Sequence, residues 1–352
     1  MRTEVKFSSK RLLLLTLTLC ACAVILLQNY NLSTNLSFAL NLLCVLIGLI
    51  VCFFCFLPTA LIKKRYDTDV ISLITNRSKP VRIAAAVFFG VYFLYAALYF
   101  LIPYTDMFCK KYYPDASPCM VGLLLLGCCV YAAFKGANAI TRFGIFLFVL
   151  AMLTNLLMFG GSVSSLSFDS DLWQLKGDVS SFAQNAVFFV TPSFVAAVFV
   201  CLAGDTRDFK LRHPLIALGL TGIKFALVLF FIAFAVGEYA QRQEYQTFVL
   251  SRVAHFGSFA GVESFYMALC TMSVFMIISL LLCCMCKAAN KSESLPFISA
   301  FAAAVFVVRW IAFNNNSGKE ILTNPLAFSI FSILASAAVP CVCLLTERSR
   351  HA

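Results

Sequence analysis

The sequence predicts an all-α polytopic membrane protein with about ten transmembrane helices. Hydrophobic residues make up 61% of the 352 positions and charged residues only 12%, and the mean hydropathy is +0.91. This composition leaves too little polar surface to cover a water-soluble globule of this size. The apolar residues form continuous runs of about 20 residues, the length that a membrane-spanning helix needs. They do not show the period of two that is typical of membrane β-barrel strands.

Ten apolar runs are long enough to be spans. The predicted spans are 12–28, 38–62, 83–103, 119–134, 143–161, 182–203, 215–236, 264–287, 295–313 and 324–345. The first run follows several cations and contains "LCAC" (19–22), which loosely resembles a lipoprotein cleavage site. A secretion signal is therefore the alternative for this run. Signal regions are usually shorter, so we favour a retained span.

The basic residues lie mainly in alternate connections between the runs. Lys63, Lys64 and Arg65 follow the second run, and Lys135 and Arg142 flank the short connection after the fourth. By the positive-inside rule, these connections and both termini are predicted to face the cytoplasm. The net charge of +11 is thereby explained by membrane topology, and no nucleic acid partner is expected.

The sequence gives little indication of a metal site or of an enzymatic active site. Most of the 16 cysteines fall inside predicted spans, where a thiol behaves as a small hydrophobic group. With only 3 histidines and no paired ligand motif, we expect no metal and no other cofactor. A disulfide between Cys109 and Cys119, which share one outer connection, stays open. No nucleophile constellation or phosphate-binding loop is present, so we expect a transporter or receptor and not an enzyme.

Two cations, Lys224 and Arg309, lie inside predicted spans and not at the last residue of one. Lys224 is near the middle of the seventh run, too far from either end to reach the interface easily. It is either a structural ammonium bonded to helix carbonyls or a group that takes part in cation or proton coupling. Arg309 lies near the outer end of the ninth run beside Trp310, where we expect the guanidinium to snorkel to the interface.

The sixth run contains Pro192 in mid-membrane, flanked by Thr191 and Ser193. Proline removes a backbone donor and obstructs a carbonyl, so this helix is expected to kink or unwind. Unwound backbone at this depth supplies polar groups to a substrate in some transporters. A simple kink without a site is the alternative.

Further polar side chains follow helical spacing. Tyr92, Tyr95 and Tyr99 share one face of the third run. Their hydroxyls need partners, which predicts that this face meets protein or a wet cavity and not lipid. An aromatic stripe at the membrane interface is the alternative, above all for Tyr99 near the outer end. Glu263 begins a polar stripe at the membrane edge of the eighth run.

Three segments carry a resemblance to a known family. "YAAFKGANAITRFGIFLFVLAMLTNLL" (131–157) resembles the fourth-to-fifth-span segment of the endospore germination permeases, the B subunits of spore germinant receptors. "FLPTALIKKRYDTDVISL" (56–73) is similar to their second helix and following basic loop. "FVLSRVAHFGSFAGVESFYMAL" (248–269) is similar to their outer loop leading into the eighth span.

The resemblance implies membership of the amino acid-polyamine-organocation superfamily and the inverted-repeat transporter fold. One permease domain, 1–352, would contain two five-helix repeats, about 12–161 and 182–345. The ligand site of that fold lies between broken helices one and six. The first run departs from the family pattern because it contains neither glycine nor proline.

From the resemblance we predict a permease-like protein that binds an amino acid or similar small nutrient, as the B subunit of a spore germinant receptor. It would span a bacterial cytoplasmic or spore inner membrane and bind other receptor subunits. The predicted ligand-site residues are Thr191, Pro192, Ser193, Tyr92, Tyr95, Lys224 and Glu263. The outer loop 237–263, with an apolar stripe of Phe248, Val249, Val253 and Phe256, would form a lid. The alternatives are an active amino-acid or amine transporter unrelated to germination, and a non-transporting scaffold that only assembles partner subunits.

Overall fold

The computed structural model of the chain is almost entirely helical. The residues that it describes are 9–27, 36–75, 77–167, 175–205, 212–237, 239, 243–256, 259–290, 294–313 and 315–351. The α-helices are α1 (Ser9–Leu27), α2 (Phe38–Tyr66), α3 (Val70–Thr75), α4 (Lys79–Lys111), α5 (Pro118–Lys135), α6 (Ala137–Ser162), α7 (Val179–Val190), α8 (Phe194–Leu202), α9 (Arg212–Phe231), α10 (Gln246–Val253), α11 (Glu263–Ala288), α12 (Leu295–Phe313), α13 (Asn316–Leu322), α14 (Pro325–Ile333) and α15 (Val339–His351). Two short antiparallel strands, His255–Phe256 and Phe259–Ala260, precede α11.

The predicted polytopic architecture is confirmed. Nine helical segments within the described residues are long and apolar enough to cross a membrane, and they correspond to the second to tenth predicted spans. The first predicted span is α1, whose apolar part is the shorter stretch Leu13–Leu26. The division into two inverted repeats stays a prediction.

The centre of the bundle differs from its periphery in burial. In the segment formed by α7 and α8, 89% of the most apolar window is buried within the protein, compared with 28% in α5. The single helix α1 is also enclosed, because it packs against α6, α9 and α11. Its residues from Leu19 to Leu26 are all at most 6% exposed. That the first run is retained as a span stays a prediction.

The first helix is continuous. No break interrupts α1 between Ser9 and Leu27, as its lack of glycine and proline predicts. The resemblance implies a ligand site between two broken helices. The described part of this chain provides only the second of these breaks.

A polar cluster ties several helices together at one end of the bundle. Lys287 at the end of α11 pairs with the buried Asp69 carboxylate, with 2.7 Å between Nζ and Oδ2. Lys63 near the end of α2 donates to the Gly204 carbonyl that follows α8, at 3.3 Å. We call this end the inner end and the opposite end the outer end. That the inner end faces the cytoplasm stays a prediction based on the cation distribution.

Helices α2 and α7 approach each other closely at Gly48. A Cβ atom added to Gly48 would lie 2.6 Å from the carbonyl carbon of Phe189. Backbone atoms cannot move aside as the end of a flexible side chain can, so the two helices require a glycine here. Small residues serve this purpose in many membrane helix pairs.

We predict that Gly48→Ala destabilises the protein by about 1–3 kcal/mol through overpacking. The matched control is Gly127→Ala on the exposed side of α5, where an added Cβ would meet nothing within 4 Å. Thermal unfolding of both variants in detergent checks the prediction. Equal stability of the two variants would show that the α2–α7 contact adjusts at no cost.

Candidate functional site

A cavity of about 750 Å³ lies at the outer end of the bundle. Its wall is formed by the end of α4, by α7, by the residues before α10 and by the connection between α13 and α14. The charged and amide side chains that line it are Asp106, Lys110, Gln184, Asn185, Glu244, Lys319 and Asn324. The cavity therefore presents both signs of charge together with neutral hydrogen-bonding groups.

Part of the cavity wall is formed by an extension of α4 beyond the predicted third span. The predicted third span ends at Pro103, but the helix continues through this proline to Lys111. Proline is tolerated inside membrane helices. The continuation brings Asp106 and Lys110 onto a regular helix and places both on the cavity wall.

Asp106 binds two cations at once. Its Oδ1 accepts from Nη2 of Arg309 at 2.8 Å, and its Oδ2 forms an ion pair with Lys319. The Arg309 side chain is 1% exposed, and that of Lys319 is 40% exposed. Arg309 also donates to the Thr105 hydroxyl at 3.1 Å.

The expected snorkelling of Arg309 is wrong. Its guanidinium turns inward to Asp106, while the neighbouring Trp310 is 55% exposed. A buried carboxylate on another helix stabilises the charge better than a partial escape to the interface. The prediction failed because Asp106 was placed in a loop, and so no intramembrane partner was recognised.

A second ion pair lies on the same wall. Lys110 and Glu244 are 2.6 Å apart, and both side chains are about half exposed. Tyr245 follows Glu244 and also lines the cavity. Burial chiefly, and then the carboxylates of Glu244 and Asp106, raise the pKa of the Tyr245 phenol. The hydroxyl therefore stays protonated and is able to donate.

The predicted break at Pro192 is confirmed. Residues Thr191–Ser193 form a 3₁₀ turn between α7 and α8. Proline cannot donate to the Phe188 carbonyl four residues earlier, and this oxygen accepts from the Thr191 backbone N–H and, at 2.6 Å, from the Thr191 hydroxyl. The Ser193 Oγ is buried and has no hydrogen-bond partner among the described residues. The three residues of the break are buried and do not line the cavity, whose wall ends at Phe188.

The three tyrosines of α4 face protein, as predicted. Tyr92 shares a hydrogen bond of 3.1 Å with Ser332, and Tyr99 stacks on Phe328 with ring centroids 3.9 Å apart. The Tyr95 hydroxyl donates to the carbonyl of Ile321 at 3.3 Å. All three contacts are with the last membrane-spanning segment, Ser317–Thr346, which begins before the predicted tenth span and is called the tenth span below. The tyrosines therefore join α4 to this span and do not form the cavity wall.

Lys224 belongs to α9 and lies in the core beside α1 and α11. Its Nζ donates to the Ala21 carbonyl of α1 at 3.0 Å, and the thiols of Cys22 and Cys270 are close to it. Tyr266 donates to the Ile25 carbonyl one turn further along α1, at 3.2 Å. Among the described residues, no carboxylate forms an ion pair with Lys224.

Glu263 is the first residue of α11. It pairs with Arg252 of α10, with 2.9 Å between Oε2 and Nε. Phe248 and Val249 of the predicted lid are buried, whereas the side chain of Phe256 lies outside the described residues. The pair fixes α10 to the first turn of α11. A lid movement of this segment stays a prediction.

None of the sequence-predicted site residues is among those that line the cavity. Tyr92 contacts the tenth span, Lys224 contacts α1 and Glu263 contacts α10. Sequence reasoning missed Asp106 and Lys319, and it identified Arg309 without its partner Asp106. Two features of the sequence could have indicated this ion pair. Asp106 lies only three residues beyond a predicted span, and Arg309 lies within another predicted span.

Fold and cavity define a polytopic α-helical membrane protein of the permease type. The sequence profile of the spore germination protein family, a family of spore permeases, matches residues 8–317. The chain belongs to this family. No individual characterised protein matches it significantly. The protein is thus a multi-pass, germination-related, permease-like membrane protein.

Proposed function

We propose that the chain is the membrane-embedded B subunit of a spore germinant receptor and that it binds an amino acid or similar small nutrient in the outer cavity. The observation that carries this proposal is the cavity itself, which combines about 750 Å³ of space with charges of both signs. Small-molecule sites commonly occupy about 300–1,000 Å³ and orient the ligand with a few polar groups.

The broken sixth span provides a route from the cavity to the rest of the bundle. Helix α7 forms part of the cavity wall as far as Phe188, and the turn at Thr191–Ser193 follows directly. An interrupted helix concentrates a conformational change in a few residues. We propose that Thr191, Pro192 and Ser193 respond to the ligand by letting α7 move relative to α8.

The other predicted site residues connect helices around the cavity and the central core. Tyr92 and Tyr95 join α4 to the tenth span, which also carries the cavity residue Lys319. Lys224 and Glu263 hold α1 and α10 against the same core. We propose that these residues transmit or stabilise the change and do not contact the ligand in this conformation.

Filling the cavity tests the proposed function. Ala183 lines the cavity, and we predict that Ala183→Phe weakens nutrient binding at least about tenfold, because the ring occupies the ligand volume. Stability should change little, since Ala183 is exposed. The measurement is ligand-dependent thermal stabilisation of the purified protein with a panel of the standard amino acids.

The matched control is Val179→Phe, four positions earlier on α7. Val179 is 85% exposed and does not line the cavity, so this variant should bind as the wild type does. Wild-type binding by Ala183→Phe would exclude the cavity as the site. Absence of stabilisation by every amino acid would favour the non-transporting scaffold.

Transport is distinguished from sensing by a separate measurement. Uptake of a stabilising amino acid into proteoliposomes that contain this chain alone would favour the active transporter. Binding without uptake, together with copurification of partner subunits from spore membranes, would favour the receptor subunit.

A further inference from the structure

Two ion pairs of opposite polarity lie side by side on the cavity wall. Asp106 and Lys110 are four residues apart on α4, so they share one helical face about 6 Å apart along the axis. Asp106 pairs with Lys319, and Lys110 pairs with Glu244. Along α4 the order is therefore negative then positive, and on the facing segments it is positive then negative.

Arg309 gives Asp106 a second cationic partner, so this ion pair differs in net charge from the pair of Lys110 and Glu244. The guanidinium is buried and holds Asp106 Oδ1 at 2.8 Å, while its Nε and Nη1 have no hydrogen-bond partner among the described residues. Arginine stays protonated in proteins, so Asp106 is neutralised without any help from Lys319. The cluster of two cations and one carboxylate carries one excess positive charge.

Lys319 is the exchangeable member of this cluster. Its side chain is 40% exposed, whereas Arg309 is 1% exposed. Exposed ion pairs contribute little to stability, so exchanging the partner of Lys319 costs little. The lysine also lies on the cavity wall, within reach of a ligand.

We propose that the ligand is a zwitterion whose carboxylate binds Lys319 and displaces it from Asp106, while the ligand's ammonium takes the vacated place at Asp106. This inference rests on the proposed function and specifies the ligand class for the same cavity. The excess positive charge selects ligands with a free carboxylate. The carboxylates of Asp106 and Glu244 select those that also carry an ammonium.

Release of Lys319 has a structural consequence for the tenth span. Lys319 belongs to α13, and the same segment is held to α4 by Tyr95, whose hydroxyl donates to the carbonyls of Ile321 and Asn324. Exchange of the ion pair removes one of the polar attachments that the described residues form between α4 and this segment. Binding of the ligand's carboxylate to Lys319 is thereby coupled to the position of the outer part of this span.

The experiment compares an amino acid with its own amide. The probe is the standard amino acid that stabilises the wild-type protein most, tested beside its carboxamide and the amine that lacks the carboxyl group. We expect the wild type to bind the acid at least about tenfold more tightly than either analogue, because only the acid provides an anion for Lys319. Lys319→Gln should lose most of this preference, and Lys319→Arg should retain it.

The matched control is Lys111→Gln, since Lys111 is adjacent to Lys110 but does not line the cavity. This variant should keep both affinity and preference. Equal binding of acid and amide by the wild type, or an unchanged preference in Lys319→Gln, would overturn the inference while leaving the cavity as a binding site. Loss of all binding in Ala183→Phe together with an amide as tight as the acid would support the proposed function and refute the carboxylate role. Absence of amino acid binding to the wild type would refute both.

Discussion

Replacing Asp106 with asparagine is expected to destabilise the protein by about 3–5 kcal/mol. The substitution keeps the size of the side chain but leaves the Arg309 guanidinium, which is 1% exposed, without an anionic partner. The Arg309 guanidinium also packs over Phe313, whose ring centre is 5.9 Å from the guanidinium carbon. Thermal or chemical unfolding in detergent measures the loss.

The control for Asp106→Asn is Lys319→Gln, which removes the other partner of the same carboxylate. Because Lys319 is 40% exposed, this change should cost less than about 1 kcal/mol. The double variant Asp106→Leu/Arg309→Met should recover much of the lost stability, since a buried ion pair is often replaceable by apolar residues. An Asp106→Asn protein as stable as Lys319→Gln would show that Arg309 is hydrated in the folded state.

The spans were predictable because the membrane imposes a single strong constraint. A helix that crosses lipid must satisfy its own backbone and present about 20 apolar residues. Nine predicted spans correspond to helical segments of this kind, and the break at Pro192 followed from the chemistry of proline alone. The protein-facing tyrosines followed from the need of a phenol for a partner.

The cavity was not predictable by the same reasoning. The predicted third span ended at 103, which left Asp106 in a connection, and no partner for it in three dimensions was sought. Arg309 lies 203 positions away from Asp106 in the sequence, and a pairing of this separation leaves no local pattern. A span that ends at a proline with a carboxylate three residues later should therefore be extended before its charges are interpreted.

The core around α1 shows a related limit. The sequence identifies Lys224 as an intramembrane cation, but it does not identify the helix that accepts a hydrogen bond from it. The structure assigns this role to the Ala21 carbonyl of α1. An unbroken apolar helix carries no signal of such a contact, because every residue of a helix has the same carbonyl.

Lys224→Met is expected to abolish the nutrient response while preserving or raising stability. The Lys224 ammonium is buried, and the single hydrogen bond that it makes is to Ala21, at 3.0 Å, within the described residues. An ammonium has three donors, and a buried charge costs several kcal/mol when it is not matched by an anion. Methionine keeps the length and the apolar stem of lysine and removes that cost.

The hydrogen bond lost in Lys224→Met contributes little to the free energy of unfolding. The Ala21 oxygen already accepts a backbone hydrogen bond within α1, so removing the lysine leaves it satisfied and costs about 1 kcal/mol. The control is Thr221→Val, one turn earlier on α9, whose hydroxyl bonds to the Ala217 carbonyl of its own helix at 2.7 Å. That change removes a polar group from the same region without changing charge, and it should leave the response intact. Thermal stability in detergent and ligand response in spores are measured for both variants. A Lys224→Met protein that is less stable than Thr221→Val but whose folded fraction responds normally would assign Lys224 a purely structural role between α9 and α1.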